Sequence, residues 1–298
     1  MARTPGLERV EKMYLEGFPD PATATVNDLR EAYDRLFLQF ELPGDVEPVV
    51  GEIAGVPTLS VAATDATADK VLVWFHGGGN IMGSARGFQE LGHNLSRASG
   101  VTVILADFRR APEHPFPAAG DDAVSVITAA VAQYGAANVA VGGDSAGGGL
   151  VLSALVSLRD SGETLPVAAV FISPLLDITA SGDSIDEFDG IDIAVSRGSI
   201  GNIGEAYLQG HDPKDPKASP LFAEMHDLPP ALFMVGSKEV LLDDSRRAAA
   251  KLVEAGGSAT VSAYDDMVHV WPLFSSILPE GMEAADEAGA FLRKHLAV

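Results

Sequence analysis

The chain has 298 residues, 47% of them hydrophobic, with 42 acidic residues against 20 lysines and arginines, a formal charge of −22 and no cysteine. That length and apolar share support one large core. The acidity repels phosphate backbones and anionic lipid, so neither nucleic acid nor a membrane is expected as a partner. The missing thiols exclude disulfides, a thiolate nucleophile and cysteine-held zinc.

The first 25 residues carry Glu8, Arg9, Glu11, Lys12 and Glu16 and lack the apolar stretch of an export signal, and no run reaches the length of a membrane span, so a cytoplasmic protein is expected. Apolar residues at 7, 10, 13 and 14, then Val26, Leu29, Tyr33, Leu36, Phe37 and Phe40, recur at helical spacing. They predict two amphipathic helices separated by residues 17–21. So short a pair has no core of its own and must pack on the rest of the chain as part of a lid.

Residues 49–53 and 58–62 flank Ala54-Gly55-Val56 and read as an antiparallel hairpin that starts a sheet. Short apolar runs at 71–75, 101–106, 139–141, 168–172, 231–235 and 260–264 then alternate with helical stretches at 87–99, 121–133, 148–160, 244–255 and 279–295. This rhythm predicts an α/β architecture, a mostly parallel central sheet flanked by helices. Residues 178–220 break it, being rich in Asp, Gly and Ser with one weakly helical piece around 200–208, and read as a lid-like insertion. The expected organisation is a single domain over 1–298, with cap helices in 1–40 and a catalytic core of 41–177 and 221–298.

Gly143-Asp144-Ser145-Ala146-Gly147 lies between the strand at 139–141 and a helix carrying Leu150, Val151, Leu152 and Leu155. That is the strand, sharp turn and helix setting of a nucleophile elbow, in which small neighbours let the serine hydroxyl project from the sheet edge. An ordinary Gly-rich turn with Ser145 as a helix cap is the plainer alternative. His76-Gly77-Gly78-Gly79 follows the strand at 71–75 and sets bare amides at another strand's carboxyl end, where they can stabilise an oxyanion. The lysine and hydroxyl residue of a phosphate loop are absent, and the spacing is wrong for a dinucleotide fingerprint. His76 itself is expected to orient this loop. Four histidines follow Ser145: His211 falls in the insertion, His226 precedes a strand and His295 ends a helix, which leaves His269 as the base.

In these four pieces, His76 to Gly79, Asp107 to Ala118 (DFRRAPEHPFPA), Gly143 to Gly147 and Val268-His269-Val270-Trp271, the chain resembles the bacterial hormone-sensitive-lipase-like esterases of the α/β-hydrolase superfamily. They occur in the family's order over nearly the whole chain. The resemblance implies the α/β-hydrolase fold with an N-terminal helical cap. It also implies cofactor-free hydrolysis of short- to medium-chain acyl esters, with the amides of Gly78, Gly79 and Ala146 as oxyanion donors. Two departures stand out: Asn80 replaces a common aromatic after the glycines, and the family's acid, usually aspartate, aligns with Glu239. Asp243 and Asp244 are expected instead to cap a helix, and Asp177 matches no family position. Asp107 to Ala118 reads as a rigid crossing segment, with Glu113, Arg109 and His114 as candidates for a polar buttress beside the glycine loop.

The expected chemistry is a serine carboxylesterase with Ser145, His269 and Glu239 as its triad, acting on a small-molecule ester and requiring no metal. A lactone opened by the same triad is the nearest alternative, and a non-catalytic ligand-binding relative a more distant one. A homo-oligomer is compatible with this sequence.

Overall fold

Residues 71–75 are apolar at every position, as a strand covered on both faces must be, and in the computed structural model of the protein they end the central strand of the sheet. The structure describes residues 4–19 and 23–298; part of the expected link at 17–21 lies outside them. Eight strands form one sheet: β1 (Val49–Ile53), β2 (Val56–Val61), β3 (Thr67–Phe75), β4 (Val101–Ala106), β5 (Val139–Asp144), β6 (Ala168–Ile172), β7 (Ala231–Gly236) and β8 (Ala259–Tyr264), in the order β1-β2-β4-β3-β5-β6-β7-β8. The β1–β2 hairpin is antiparallel, as expected, and β2 also runs antiparallel to β4, while every later pair is parallel.

Side chains alternate along β3 between two cores. Val71, Val73 and Phe75 face one side with Leu150, Val151 and Leu155 of α5 (Ser145–Asp160), Val126 and Ile127 of α4 (Ala118–Tyr134), and Leu252 of α8 (Leu242–Glu254). Leu72 and Trp74 face the other with Leu91 and Leu95 of α3 (Gln89–Ser99) and Leu292 of α9 (Pro279–Leu296). The same second core takes Leu7 and Val10 of α1 (Pro5–Gly17) and Leu36 and Phe37 of α2 (Val26–Leu38), so the amphipathic pair docks on the sheet's helical layer. Thr4 and Thr25 cap these two helices, the latter in a reciprocal box with Asp28.

The insertion is more ordered than its composition predicts. Besides α7 (Arg197–Leu208) it holds a short α6 (Asp183–Phe188), hidden from periodicity by its length and its Asp and Ser content. No helix among the described residues is long and apolar enough to cross a membrane.

Register places the site. Phe75 pairs with Gly143, Asp144 with Ile172, and Gly236 with Tyr264. The segments that follow β3, β5, β6, β7 and β8 therefore leave one carboxyl edge of the sheet together.

Candidate active site

Ser145 starts α5 immediately after β5 and has φ of +50°, a left-handed conformation that a non-glycine residue holds only under constraint. Two close approaches create that constraint. A Cβ on Gly147 would lie 2.0 Å from the carbonyl oxygen of Phe75, and one on Gly143 would lie 2.6 Å from the Gly147 carbonyl. Only glycine permits so tight a turn against β3, and the turn leaves Ser145 half-buried at the sheet edge. The helix begins at the serine, three residues earlier than the sequence pattern indicates.

Asp144, which sequence reasoning passed over, joins the elbow to the glycine loop. It is fully buried and accepts from the Gly77 amide at 3.0 Å and from Trp74 Nε1 at 3.0 Å. Burial pushes its carboxyl up to about 7, against the lowering effect of Trp74, His269 and the Gly77 amide. Beyond Gly77, Gly78 and Gly79 have φ of +110° and +66°, and their amides donate to no other group among the described residues. Ala146 follows Ser145 in the first turn of α5, where backbone amides have no intrahelical acceptor. His76 orients this loop: its ring stacks on Phe108 at 4.4 Å, and Nδ1 donates to the Gly77 carbonyl at 2.7 Å. Burial lowers its pKa to about 4, so it is neutral and unsuited to carry charge.

The structure brings His269 and Glu239 together, with imidazole Nδ1 donating to Oε2 at 2.8 Å in a buried pair. Burial depresses the imidazole, but the Glu239 hydrogen bond and charge, with Asp192 and Asp144 behind them, outweigh it and raise His269 above 6.5. Burial also raises Glu239, tempered by His269 and the Gly236 amide. The other carboxylate oxygen accepts from the Gly236 amide at 2.6 Å and the Ser173 hydroxyl at 2.7 Å. Ser173, the residue after β6 with φ of +46°, also accepts from the Val270 amide at 3.1 Å. One buried hydroxyl thus bridges the acid to the segment that carries the imidazole, a role no motif announces. No hydrogen bond joins the Ser145 hydroxyl to His269 among the described residues; such contacts often tighten only with substrate.

The neighbouring acids are otherwise engaged. Asp244 is buried and accepts from the amides of Leu176 and Asp177 at 2.7 and 3.0 Å, and Asp243 accepts from the Ser184 amide at 2.9 Å. Both tie α8 to the chain after β6; neither caps α8 through its side chain, contrary to the sequence expectation. Asp177 is spent on Thr179, Ser181 and Arg247.

Cap and insertion reach the same machinery. Tyr14 of α1 donates to the His269 carbonyl at 3.0 Å, and Arg30 of α2 donates to the carbonyls of Ile81 and Ala111 at 2.8 and 2.9 Å. From the insertion, Asp192 accepts from the Val240 amide at 3.0 Å, bracing the turn that holds Glu239. The buttress differs from expectation. Glu113 pairs with Arg30 at 2.6 Å and Arg109 with Asp122 at 2.7 Å, while the glycine loop is met by the Ala111 amide, which donates to the Asn80 carbonyl at 2.8 Å.

The family described as alpha/beta hydrolase fold matches residues 72–273. An acetyl-hydrolase of Streptomyces hygroscopicus is 37% identical over 278 residues, covering 93% of this chain and 90% of the relative. A crystal structure of an esterase from the bacterial hormone-sensitive lipase family superposes with a TM-score of 0.96 at 40% identity, over 99% of this chain and 100% of that one. EstE5, crystallised and soaked with p-nitrophenyl butyrate, gives 0.93 at 38% identity over 99% and 100%. The chain belongs to the α/β-hydrolase family, in its bacterial hormone-sensitive-lipase branch, and is a carboxylic ester hydrolase.

Proposed function

We propose that the protein is a serine carboxylesterase for short- to medium-chain acyl esters, with Ser145 as nucleophile, His269 as base and Glu239 as the acid that orients it. The observation that carries this reading is the buried 2.8 Å contact between His269 Nδ1 and Glu239 at the sheet edge that also presents the strained Ser145. The Nδ1–H is committed to the acid, so Nε2 is the lone-pair nitrogen and can accept the serine proton. Ser145 attacks the ester carbonyl while the amides of Gly78, Gly79 and Ala146 receive the oxyanion. His269 returns the proton to the leaving alcohol, and water activated by the same imidazole releases the acid from the acyl-enzyme. The N-terminal helix pair and the insertion at 178–220 both cover and brace the site of a single catalytic domain. The acetyl-hydrolase relative and the butyrate ester soaked into EstE5 support short acyl groups.

The test is a fluorophosphonate probe with intact-mass and peptide analysis. Wild-type protein should be labelled at Ser145, and Ser145→Ala should lose both labelling and p-nitrophenyl acetate turnover. A folded wild-type protein that is neither labelled nor active refutes the reading.

A further inference from the structure

The nucleophile and the glycine loop leave different strands, and one buried side chain spans the gap between them. Asp144, the last residue of β5, immediately precedes Ser145, and Gly77, just past β3, immediately precedes Gly78 and Gly79. Asp144 Oδ2 accepts from the Gly77 amide and Oδ1 from Trp74 Nε1, each at 3.0 Å. The two segments are pressed together here: a Cβ on Gly77 would lie 2.3 Å from Asp144 Oδ2 and 3.1 Å from the Ser145 Cβ. On its other side Gly77 is fixed through its carbonyl, which accepts from His76 Nδ1 at 2.7 Å.

The contact demands a carboxylate. A backbone amide and an indole can only donate, so both oxygens at position 144 must accept, which neither a side-chain amide nor a single hydroxyl can do. Neither partner is a cation, and burying an acid in this way costs stability. An apolar side chain of similar volume would fill the space without that cost, so a role in the chemistry is the better account of this carboxylate.

We propose that Asp144 is a positioning residue for ester hydrolysis: its carboxylate fixes the spacing between Ser145 and the amides of Gly78 and Gly79, so that the oxyanion forms within reach of its donors. The inference rests on the esterase reading above and adds a residue to it. Asp144 touches no substrate. Its effect falls on the tetrahedral state, whose alkoxide needs donors at about 2.7–3.1 Å, and not on the ground-state ester. Asparagine at 144 exposes this role. In either orientation its NH2 faces an N–H, of Gly77 or of Trp74. Trp74 is fully buried in the second core, so the displacement falls on the glycine loop. Trp74→Phe removes the competing donor, and the asparagine oxygen can then be given to Gly77.

The experiment is a double-mutant cycle over wild type, Asp144→Asn, Trp74→Phe and the double variant. It measures kcat and KM for p-nitrophenyl acetate and Ki for butyl trifluoromethyl ketone, with Tm as the check on folding. The ketone adds the Ser145 oxygen to its carbonyl carbon and passes the serine proton to His269, which leaves an alkoxide in the same loop. Asp144→Asn should lose on the order of 10²-fold in kcat with KM within about three-fold, and Ki should rise in parallel. The double variant should recover at least about ten-fold of that loss, a rescue that lost packing cannot give. A folded Asp144→Asn with near wild-type kcat and Ki overturns the inference, as does a double variant no faster than Asp144→Asn. If Asp144→Asn does not fold, Gly77→Ala decides, since its methyl enters the place of the carboxylate oxygen: a fall in kcat at constant KM supports the inference, and wild-type kcat overturns it. Wild-type protein that neither hydrolyses the ester nor binds the ketone refutes the esterase reading instead.

Discussion

Replacing Glu239 by glutamine tests the acid through a conflict that the structure makes explicit. One carboxylate oxygen receives the Gly236 amide at 2.6 Å and the Ser173 hydroxyl at 2.7 Å; the other receives His269 Nδ1 at 2.8 Å. The Gly236 amide can only donate, so glutamine must turn its oxygen to that side and its NH2 to the imidazole. The reverse orientation sets two donors 2.6 Å apart in a buried site. Facing an NH2, His269 must offer the Nδ1 lone pair and carry its proton on Nε2, the nitrogen that should accept from Ser145. A wrong tautomer in an otherwise intact triad costs about 10⁴-fold in kcat, about 5.4 kcal/mol of barrier. The assay is kcat for p-nitrophenyl acetate in Glu239→Gln, Asp243→Asn and Asp244→Asn, with Tm as the check on folding. If folded Glu239→Gln keeps kcat within about ten-fold of wild type, or if an aspartate variant collapses in its place, the assignment is refuted.

Because its partners raise the His269 pKa, kcat/KM should rise with pH through a midpoint above 6.5; a limb at or below pH 6 contradicts that environment. Ser173→Ala removes a donor from the carboxylate and strands the Val270 amide, so kcat should fall on the order of ten-fold and the midpoint move further up as the acid becomes more basic; an unchanged pH profile argues for a structural role only. Asp244 is pushed up to about 7 by burial, so its carboxyl binds a proton in the folded protein that the unfolded chain has released between about pH 4 and 7. Its contribution to stability is thus present below pH 4 and lost as pH rises through 7. Asp244→Asn, whose amide oxygen can still accept from Leu176 and Asp177, should flatten that part of the Tm profile and leave kcat within about two-fold; calorimetry across pH 4 to 8 decides. Tyr14→Phe should lower Tm slightly and slow fluorophosphonate labelling a few-fold, and equal labelling rates refute a link from α1 to the base.

The parts of this protein that follow a period or a motif are legible in its sequence. The parallel strands are continuous apolar runs, the amphipathic pair has a clear stripe, and the two glycine-rich turns sit at strand ends. Glu239 could be aligned because it shares the turn between β7 and α8 with no other acid, and the fold sets that turn beside His269. What stayed hidden depends on register. Ser173 carries no motif, and only the pairing of Asp144 with Ile172 and the return of the chain after β8 set its hydroxyl between Glu239 and Val270. Asp144 lies within the Gly143–Gly147 pentapeptide, yet its partners are Trp74 and Gly77, about 70 residues earlier, and only the β3–β5 pairing brings them near. A short helix such as α6 offers too few turns for periodicity to register.

The two N-terminal helices look like a cover from their sequence, but their contacts place them in the support of the chemistry. Helix α1 holds the backbone of His269 through Tyr14; helix α2 holds the glycine loop through Arg30 at Ile81, while Asp34 accepts from the Ser84 hydroxyl at 3.1 Å. Phe37 and Phe40 pack on Phe274, three residues beyond Trp271, and Phe37 packs on Phe88 just past the same loop. Removing residues through Phe40 would therefore strip a face of the second core and release both the glycine loop and the histidine segment, so a change confined to acyl preference is not the expected result. A lid that only gates access can be lost while the machinery beneath keeps its geometry. This one shares hydrogen bonds with both halves of that machinery, and any movement of α1 or α2 that admits substrate must be felt at His269 and at the glycine loop.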